Sequence, residues 1–311
     1  MIRGLFINQK KAQCSIYEAG VLIKNCLSGN SNYVLDYIET DAKLAGVNLT
    51  DYDFYIINWH FITLSIPKLL LQLLQGFKIA IMLEVGANEY APHPWDEFDA
   101  HMIIDPTKIR EGKNFPFPRP LPIAKEIRPI LDENKLVLGS FGFVGYNLLN
   151  EKRFEEIISC ANAFSQESIV RFNFPSATFI EDAGEAQKQY DEYLTQFAEP
   201  HVEVRITHDY FDEQELISWL SEHTMNCFPY YRKRPGLSAV TDQSIAAGRA
   251  IAVTGCATFR HLHRYIRPYS SAEFIERTVD TLPGVAQMQI DWRPQNFANK
   301  FIELLTEKGV L

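Results

Sequence analysis

Leu136-Val137-Leu138-Gly139-Ser140-Phe141-Gly142-Phe143-Val144-Gly145, followed by a helical pattern over about 151–164, decides the fold class. The near-continuous apolar run 136–141 fits a strand buried on both faces, and the glycines after it suit a turn into the next segment. Downstream the alternation repeats. Strands are expected over 169–174, 202–207, 225–230 and 250–254, with helices over 183–196 and 237–247 between them. Asp212-Glu213-Gln214-Glu215 caps a further amphipathic helix to about Ser221. Ser270-Ser271-Ala272-Glu273 opens another, and the last helix spans about 294–308, with Phe297, Phe301, Leu304 and Leu305 at helical spacing.

The first half reads the same way. Leu5-Phe6-Ile7-Asn8 is a buried strand, and Ser15-Ile16-Tyr17-Glu18 has the pattern of a capping box opening a helix to about Leu27. Strands follow over 33–38, 54–58, 79–85 and 102–105, with a helix over 67–74 that ends before Gly76. Apolar strands alternating with helices are the signature of a parallel, doubly wound sheet. Between the halves, Pro116, Pro118, Pro120, Pro122 and Pro129 cannot sit inside a helix or a central strand. This marks a linker over 115–134. A chain of 311 residues exceeds the size at which a single core usually stops growing. The expected architecture is therefore α/β, with two Rossmann-like domains facing a central cleft. They cover 1–130 (linker included) and 135–290, and a C-terminal helix over 291–311 returns to the first.

Composition excludes several classes. Hydrophobic residues are 46% and charged residues 22% of the chain, ordinary for a globular protein. The longest apolar stretch, 62–74, is broken by Thr63, Ser65, Pro67, Lys68 and Gln72, so no transmembrane segment is expected. The start Met1-Ile2-Arg3-Gly4 has no signal-peptide pattern, and the expected location is cytoplasmic. Cys14, Cys26, Cys160, Cys227 and Cys256 are scattered and lack zinc spacing, which argues against a disulfide framework or structural metal. A net charge of −9 argues against general nucleic-acid binding.

The one concentrated basic run, Arg232-Lys233-Arg234-Pro235-Gly236-Leu237-Ser238, feeds a helix start. Helix N-terminal amides, the helix dipole and guanidinium groups together suit a small phosphorylated ligand; the alternative is a solvated basic turn. The glycine-rich turn with Gly142 and Phe143 lies at a strand's carboxyl end, where ligands bind in open parallel sheets. Lys152 beyond it either reaches a phosphate or lies on a solvated face. Glu84, at the carboxyl end of the apolar strand 79–85, is a candidate for catalysis or a structural ion pair. His208, after the strand 202–207, either contacts a base or ribose or starts a turn. Asp51-Tyr52-Asp53 matches a metal-holding DxD pattern, but it precedes a strand and reads as turn residues. No GxSxG, HExxH or Walker loop is present.

From Gly236-Leu237-Ser238-Ala239-Val240-Thr241-Asp242 through Gly248-Arg249 to Thr254, the chain resembles the donor-site helix and following strand of GT-B glycosyltransferases, especially the retaining family 4 of polysaccharide loci. Gly139 to Gly145, Lys152, Thr207-His208-Asp209 and Phe259-Arg260-His261-Leu262 fall in the same order as in that family. The resemblance implies transfer of a sugar from a nucleotide-diphosphate donor to a carbohydrate or other hydroxyl acceptor, without an essential metal or other cofactor. With the residue-level reading it assigns Gly142, Phe143, His208, Arg232, Arg234, Gly236, Leu237, Ser238 and Asp242 to the donor and gives Lys152 a catalytic role, while the catalytic role expected of Glu84 rests on its place at the carboxyl end of its strand. The chain departs from the family where two glutamates are usual: Pro235 and Gln243 stand there, and Asp242 is the substitute for the ribose contact. Lys152 remains of the usual arginine–lysine pair, with Arg232 or Arg234 as substitutes. A nucleotide-sugar epimerase and a catalytically silent binding subunit are the alternatives.

Overall fold

Leu5, Phe6, Ile7 and the four residues Phe54 to Ile57 are at most 1% exposed, because their strands are covered on both faces. The structure, a computed structural model, describes residues 1–10, 13–44, 46–83, 95–144, 149–176, 183–232, 236–269 and 281–311. These divide into two units: Met1–Pro120 with Pro235–Leu237 and Trp292–Leu311, and Leu121–Arg234 with Ser238–Asp291.

The first unit contains β1 (Ile2–Gln9), α1 (Ser15–Leu27), β2 (Tyr33–Thr40), β3 (Phe54–Ile57), α2 (Lys68–Leu73), β4 (Phe77–Met82), β5 (Ala100–Ile103) and β6 (Asn114–Pro116). Its sheet runs β2-β1-β3-β4-β5-β6, and every pairing is parallel. The period of two along each strand sorts the core by face. Phe6, Phe54, Ile56, Ile79, Ile81 and Met102 share one cluster. Leu5, Ile7, Tyr55, Ile57 and Ala80 share the other with Leu64 and Leu71.

The second unit contains β7 (Leu136–Phe141), α3 (Leu149–Lys152), α4 (Glu155–Asn162), β8 (Ser168–Asn173), α5 (Ala183–Gln196), β9 (Val202–Thr207), α6 (Glu213–Ser221), β10 (Met225–Phe228), α7 (Val240–Ala246), β11 (Ala250–Val253) and α8 (Leu282–Asp291). Its sheet, β11-β10-β7-β8-β9, is also parallel throughout. Asp212 caps α6 as expected, its carboxylate accepting from the backbone of Gln214 and Glu215 while Glu215 returns a bond to Asp212 N. The final helix, α9 (Pro294–Glu307), packs in the first unit beside α1. Phe301 meets Tyr33 and Phe54 at ring-centroid distances of 5.8 and 5.9 Å, and Phe297 meets Phe117 at 5.1 Å. Each such phenylalanine contributes about 1.5–3 kcal/mol of hydrophobic stabilisation.

Several expectations change. The proline-rich stretch divides: Asn114–Pro116 is an edge strand, where proline's missing donor costs no ladder bond, and the part beyond Leu121 runs along α6. There Lys125 N donates to Gln214 Oε1, Arg128 N to Ser221 Oγ and Leu131 N to Glu222 O. α1 has Cys14 as its N-cap with no side-chain cap bond, so the Ser15–Glu18 capping box does not form. The single helix expected over 151–164 is two, α3 and α4, separated at Arg153, whose φ is 50°. α8 had no counterpart in the sequence reading. The expected helix opening at Ser270 lies outside the described residues. No cysteine forms a disulfide. Among the described residues no helix is long and apolar enough to cross a membrane.

Candidate functional site

In the second sheet the chain moves outward in one direction from β7 to β8 and β9, and in the other through β10 to β11. The switch point lies between β7 and β10, and the carboxyl ends of strands at such a point form a ligand crevice in doubly wound sheets. The β7–β10 ladder covers only Leu138–Met225 and Gly139–Asn226. Beyond it, Ser140 Oγ donates to Cys227 O at 2.5 Å and Tyr230 Oη to Phe141 O at 3.3 Å.

Gly142 leaves β7 at φ 140°, a conformation that side chains rarely adopt. Space demands glycine as well. A Cβ here would stand 2.6 Å from Lys152 Nζ and 3.2 Å from Tyr230 Oη. Lys152, the last residue of α3, donates from Nζ to Phe143 O at 2.5 Å. Its ammonium lies 5.4 Å from the centroid of the Tyr230 ring and 5.8 Å from that of Phe154. Among the described residues no carboxylate forms an ion pair with it. Loss of solvent, reinforced by the Arg232 charge and only partly offset by Glu151, lowers the Lys152 pKa to about 7.

Arg232 follows β10 on the other side of the switch point. Its Nε faces Glu151 Oε2 at 3.8 Å and has no hydrogen-bond partner among the described residues. Two cations thus converge with one nearby carboxylate and a bare glycine backbone, an arrangement that suits anionic oxygens.

Of the sequence candidates, Gly142, Phe143, Lys152 and Arg232 come together at this edge. Ser238 and Asp242 are 7% and 5% exposed and belong to a neighbouring group around α7. Here Thr241 Oγ1 donates to Ser238 O at 3.1 Å and lies 3.2 Å from His261 Nε2, while Ser238 N donates to Thr258 O. The helix begins at Val240 rather than at Leu237, so Gly236 and Leu237 are buried loop residues and Asp242 lies in the first helical turn. His208 stands after the edge strand β9, and both its ring nitrogens are engaged, Nδ1 with Phe174 O at 2.9 Å and Nε2 with Asp191 Oδ2 at 2.7 Å. The structure does not bring it to the switch point. Glu84 and Arg234 lie outside the described residues, and β4 ends at Met82. Asp53 accepts from Arg3 N at 2.7 Å ahead of β3, and Asp51 has φ 70°, so the DxD-like triplet is a turn at the amino edge of the first sheet. A shallow depression on α5 is lined by Asp191 and Glu192 with Thr195 and Gln196, carboxylates that repel a diphosphate.

Tyr230, Glu151 and Cys256 are members of the group that the sequence reading missed. Tyr230 closes an apolar strand just before the basic run, which was a usable signal. Nothing local marks Cys256, whose partner is Arg232.

No protein-family model matches the chain, and no curated protein matches it in sequence. Solved structures do match its fold. HepE from Anabaena, in complex with UDP and glucose, superposes with a TM-score of 0.64 at 8% identity, covering 99% of this chain and 100% of that one. The UDP-forming α,α-trehalose-phosphate synthase from Burkholderia xenovorans, in complex with glucose-6-phosphate, gives 0.65 at 10% identity over 99% of both chains. The lipopolysaccharide outer core galactosyltransferase WaaB gives 0.61 at 12% identity over 99% and 100%. The two parallel sheets with their helices thus have the fold of the GT-B glycosyltransferases over nearly the whole chain.

Proposed function

We propose that this protein is a glycosyltransferase that moves a sugar from a nucleotide-diphosphate donor to a carbohydrate or other hydroxyl acceptor, with the donor diphosphate at the β7–β10 switch point. The observation that carries this reading is Lys152: an ammonium desolvated against Tyr230 and Phe154, with no carboxylate ion pair among the described residues, beside Arg232. A cation held in this way is stabilised by an arriving anion, which restores the charged form. As the glycosidic bond breaks, negative charge grows on the leaving diphosphate and the sugar takes on oxocarbenium character. Lys152 and Arg232 offset that charge from fixed positions, which is electrostatic catalysis. The same pair supports metal independence, since two protein cations stand where a metal would neutralise phosphate. Gly142 and Phe143 bring backbone close to the ligand, and Ser238 and Asp242 hold the ribose from the adjoining α7 group. The solved relatives of this fold include proteins bound to UDP and to glucose-6-phosphate, which supports donor and acceptor of these classes. A cytoplasmic location belongs to the same proposal, supported by five cysteines without a disulfide.

Calorimetric titration with UDP, GDP and ADP, each with and without EDTA, tests the reading. At least one should bind in the presence of chelator, and Lys152→Ala should weaken it roughly tenfold or more, as expected for a lost charge-assisted hydrogen bond. Slow release of sugar from the matching nucleotide-sugar shows turnover. Binding without release identifies a silent subunit, and failure of all three diphosphates to bind defeats the site.

A further inference from the structure

Three consecutive residues lead out of β10 towards the basic run, and each is held through its main chain by a different group. Tyr230 O accepts from Thr254 Oγ1 at 2.5 Å. Tyr231 N donates to Glu151 O at 2.7 Å. Arg232 is gripped at both main-chain groups by a single thiol: its N–H donates to Cys256 Sγ at 3.1 Å, and Cys256 Sγ donates to its carbonyl at 2.6 Å. Cys256 follows β11, the neighbouring strand, and its own N lies 3.4 Å from Thr254 Oγ1.

The arrangement asks more of the thiol than apolar packing. A neutral thiol has one proton to give and lone pairs to accept, so it satisfies both groups at once. The Arg232 guanidinium has little to hold it in place by itself, because Glu151, the carboxylate it faces among the described residues, stands beyond hydrogen-bond distance at 3.8 Å and the arginine Nε has no hydrogen-bond partner there. Its direction is therefore set by the main chain at Arg232, and that is the part Cys256 clamps.

We infer that Cys256 is a positioning residue for the diphosphate subsite, fixing the main chain of Arg232 so that the guanidinium meets the phosphates at the carboxyl edge of β10. This rests on the proposed donor site and adds a residue to it. Cutting the side chain back to a methyl group, as in Cys256→Ala, releases both main-chain bonds and leaves the guanidinium to be ordered at the moment of binding, a cost charged to affinity.

The experiment measures, by calorimetry, the dissociation constant of whichever of UDP, GDP and ADP binds the wild-type protein best, with melting temperatures recorded on the same preparations. Cys256→Ala should weaken binding about tenfold, the worth of one or two neutral hydrogen bonds. Cys256→Ser, which keeps a donor and an acceptor, should restore most of it. Combining Cys256→Ala with Arg232→Ala should give no loss beyond that of Arg232→Ala alone, because the clamp then has nothing to aim. Cys256→Val, which keeps apolar bulk without hydrogen bonds, serves the same comparison if the alanine variant does not fold. Affinity within twofold of wild type in Cys256→Ala or Cys256→Val overturns the inference and leaves the donor site standing. So does a loss that persists undiminished without Arg232. Absence of diphosphate binding by the wild-type protein overturns both.

Discussion

Replacing Lys152 by methionine should make the protein more stable and less able to bind its ligand. The reasoning starts from the proton. In the unfolded chain the lysine has its ordinary pKa of 10.5, and in the folded protein about 7. Between these values the unfolded state binds a proton that the native state does not. Stability from this group is therefore complete above about pH 10.5 and is lost as pH falls towards 7. At 1.36 kcal/mol per pH unit, the full loss at neutral pH is about 4 kcal/mol. Methionine removes that cost but gives up the bond to Phe143 O and the two ring contacts, together worth about 1–3 kcal/mol. A net gain of about 1–3 kcal/mol at pH 7 is expected, shrinking towards pH 10. Urea denaturation at pH 7 and pH 9.5 measures it, with diphosphate affinity taken on the same samples. A second readout needs no mutation. Diphosphate binding at pH 8 should take up a proton as Lys152 becomes charged, so the calorimetric enthalpy should change with the ionisation enthalpy of the buffer. A Lys152→Met protein that is less stable than wild type at pH 7, with unchanged diphosphate affinity, would falsify the account of Lys152 as a strained anion receiver.

Two further perturbations test the surroundings of the site. Gly142→Ala forces a side chain onto φ 140° and places a methyl 2.6 Å from Lys152 Nζ. It should cost about 1–3 kcal/mol in stability and weaken diphosphate binding as well, whereas a variant with wild-type melting temperature and affinity contradicts the geometry. His223 is fully buried, and burial lowers its pKa from 6.5 to about 3, with Arg171 and Arg249 adding to the effect and Asn226 opposing it. Its contribution to stability is complete above pH 6.5 and falls as the pH drops towards 3, by about 2 kcal/mol at pH 5. Comparison of melting temperatures at pH 7.5 and 5 in wild type and His223→Gln checks this; equal acid sensitivity in the two proteins excludes His223 as its source.

Much of the architecture is legible along the chain because it depends on local pattern. The apolar run at β7, the box Asp212–Glu215 that caps α6 and the helical spacing of Phe297 and Phe301 in α9 each specify an element from neighbours within a few residues. Resemblance in the stretch from Gly236 to Thr254 pointed to the GT-B fold, which the strand order and the solved relatives bear out. Gly142, Phe143, Lys152 and Arg232 were recognisable as candidates because they lie beside strand ends in the sequence itself.

What only the tertiary structure decided is which of those candidates meet, and in what state. Lys152 lies next to a glutamate and an arginine in sequence, which leaves open whether it reaches a phosphate or lies on a solvated face. Its desolvation comes from Tyr230 and Arg232, brought alongside by the β7–β10 pairing. Gly139 lies in the strand read from the sequence, but only the structure shows why glycine is needed there: a Cβ would stand 1.9 Å from the ring of His223. His208 matched the family order, but Asp191 on α5 and Phe174 O occupy both its nitrogens. Cys256 had no local signal, since its role depends on the main chain of a residue on the neighbouring strand's loop. Secondary structure follows from periodicity along the chain, which one sequence displays. Burial, pKa and hydrogen-bond partnership are set by residues distant in sequence, and they take definite values only when parallel strands are laid side by side.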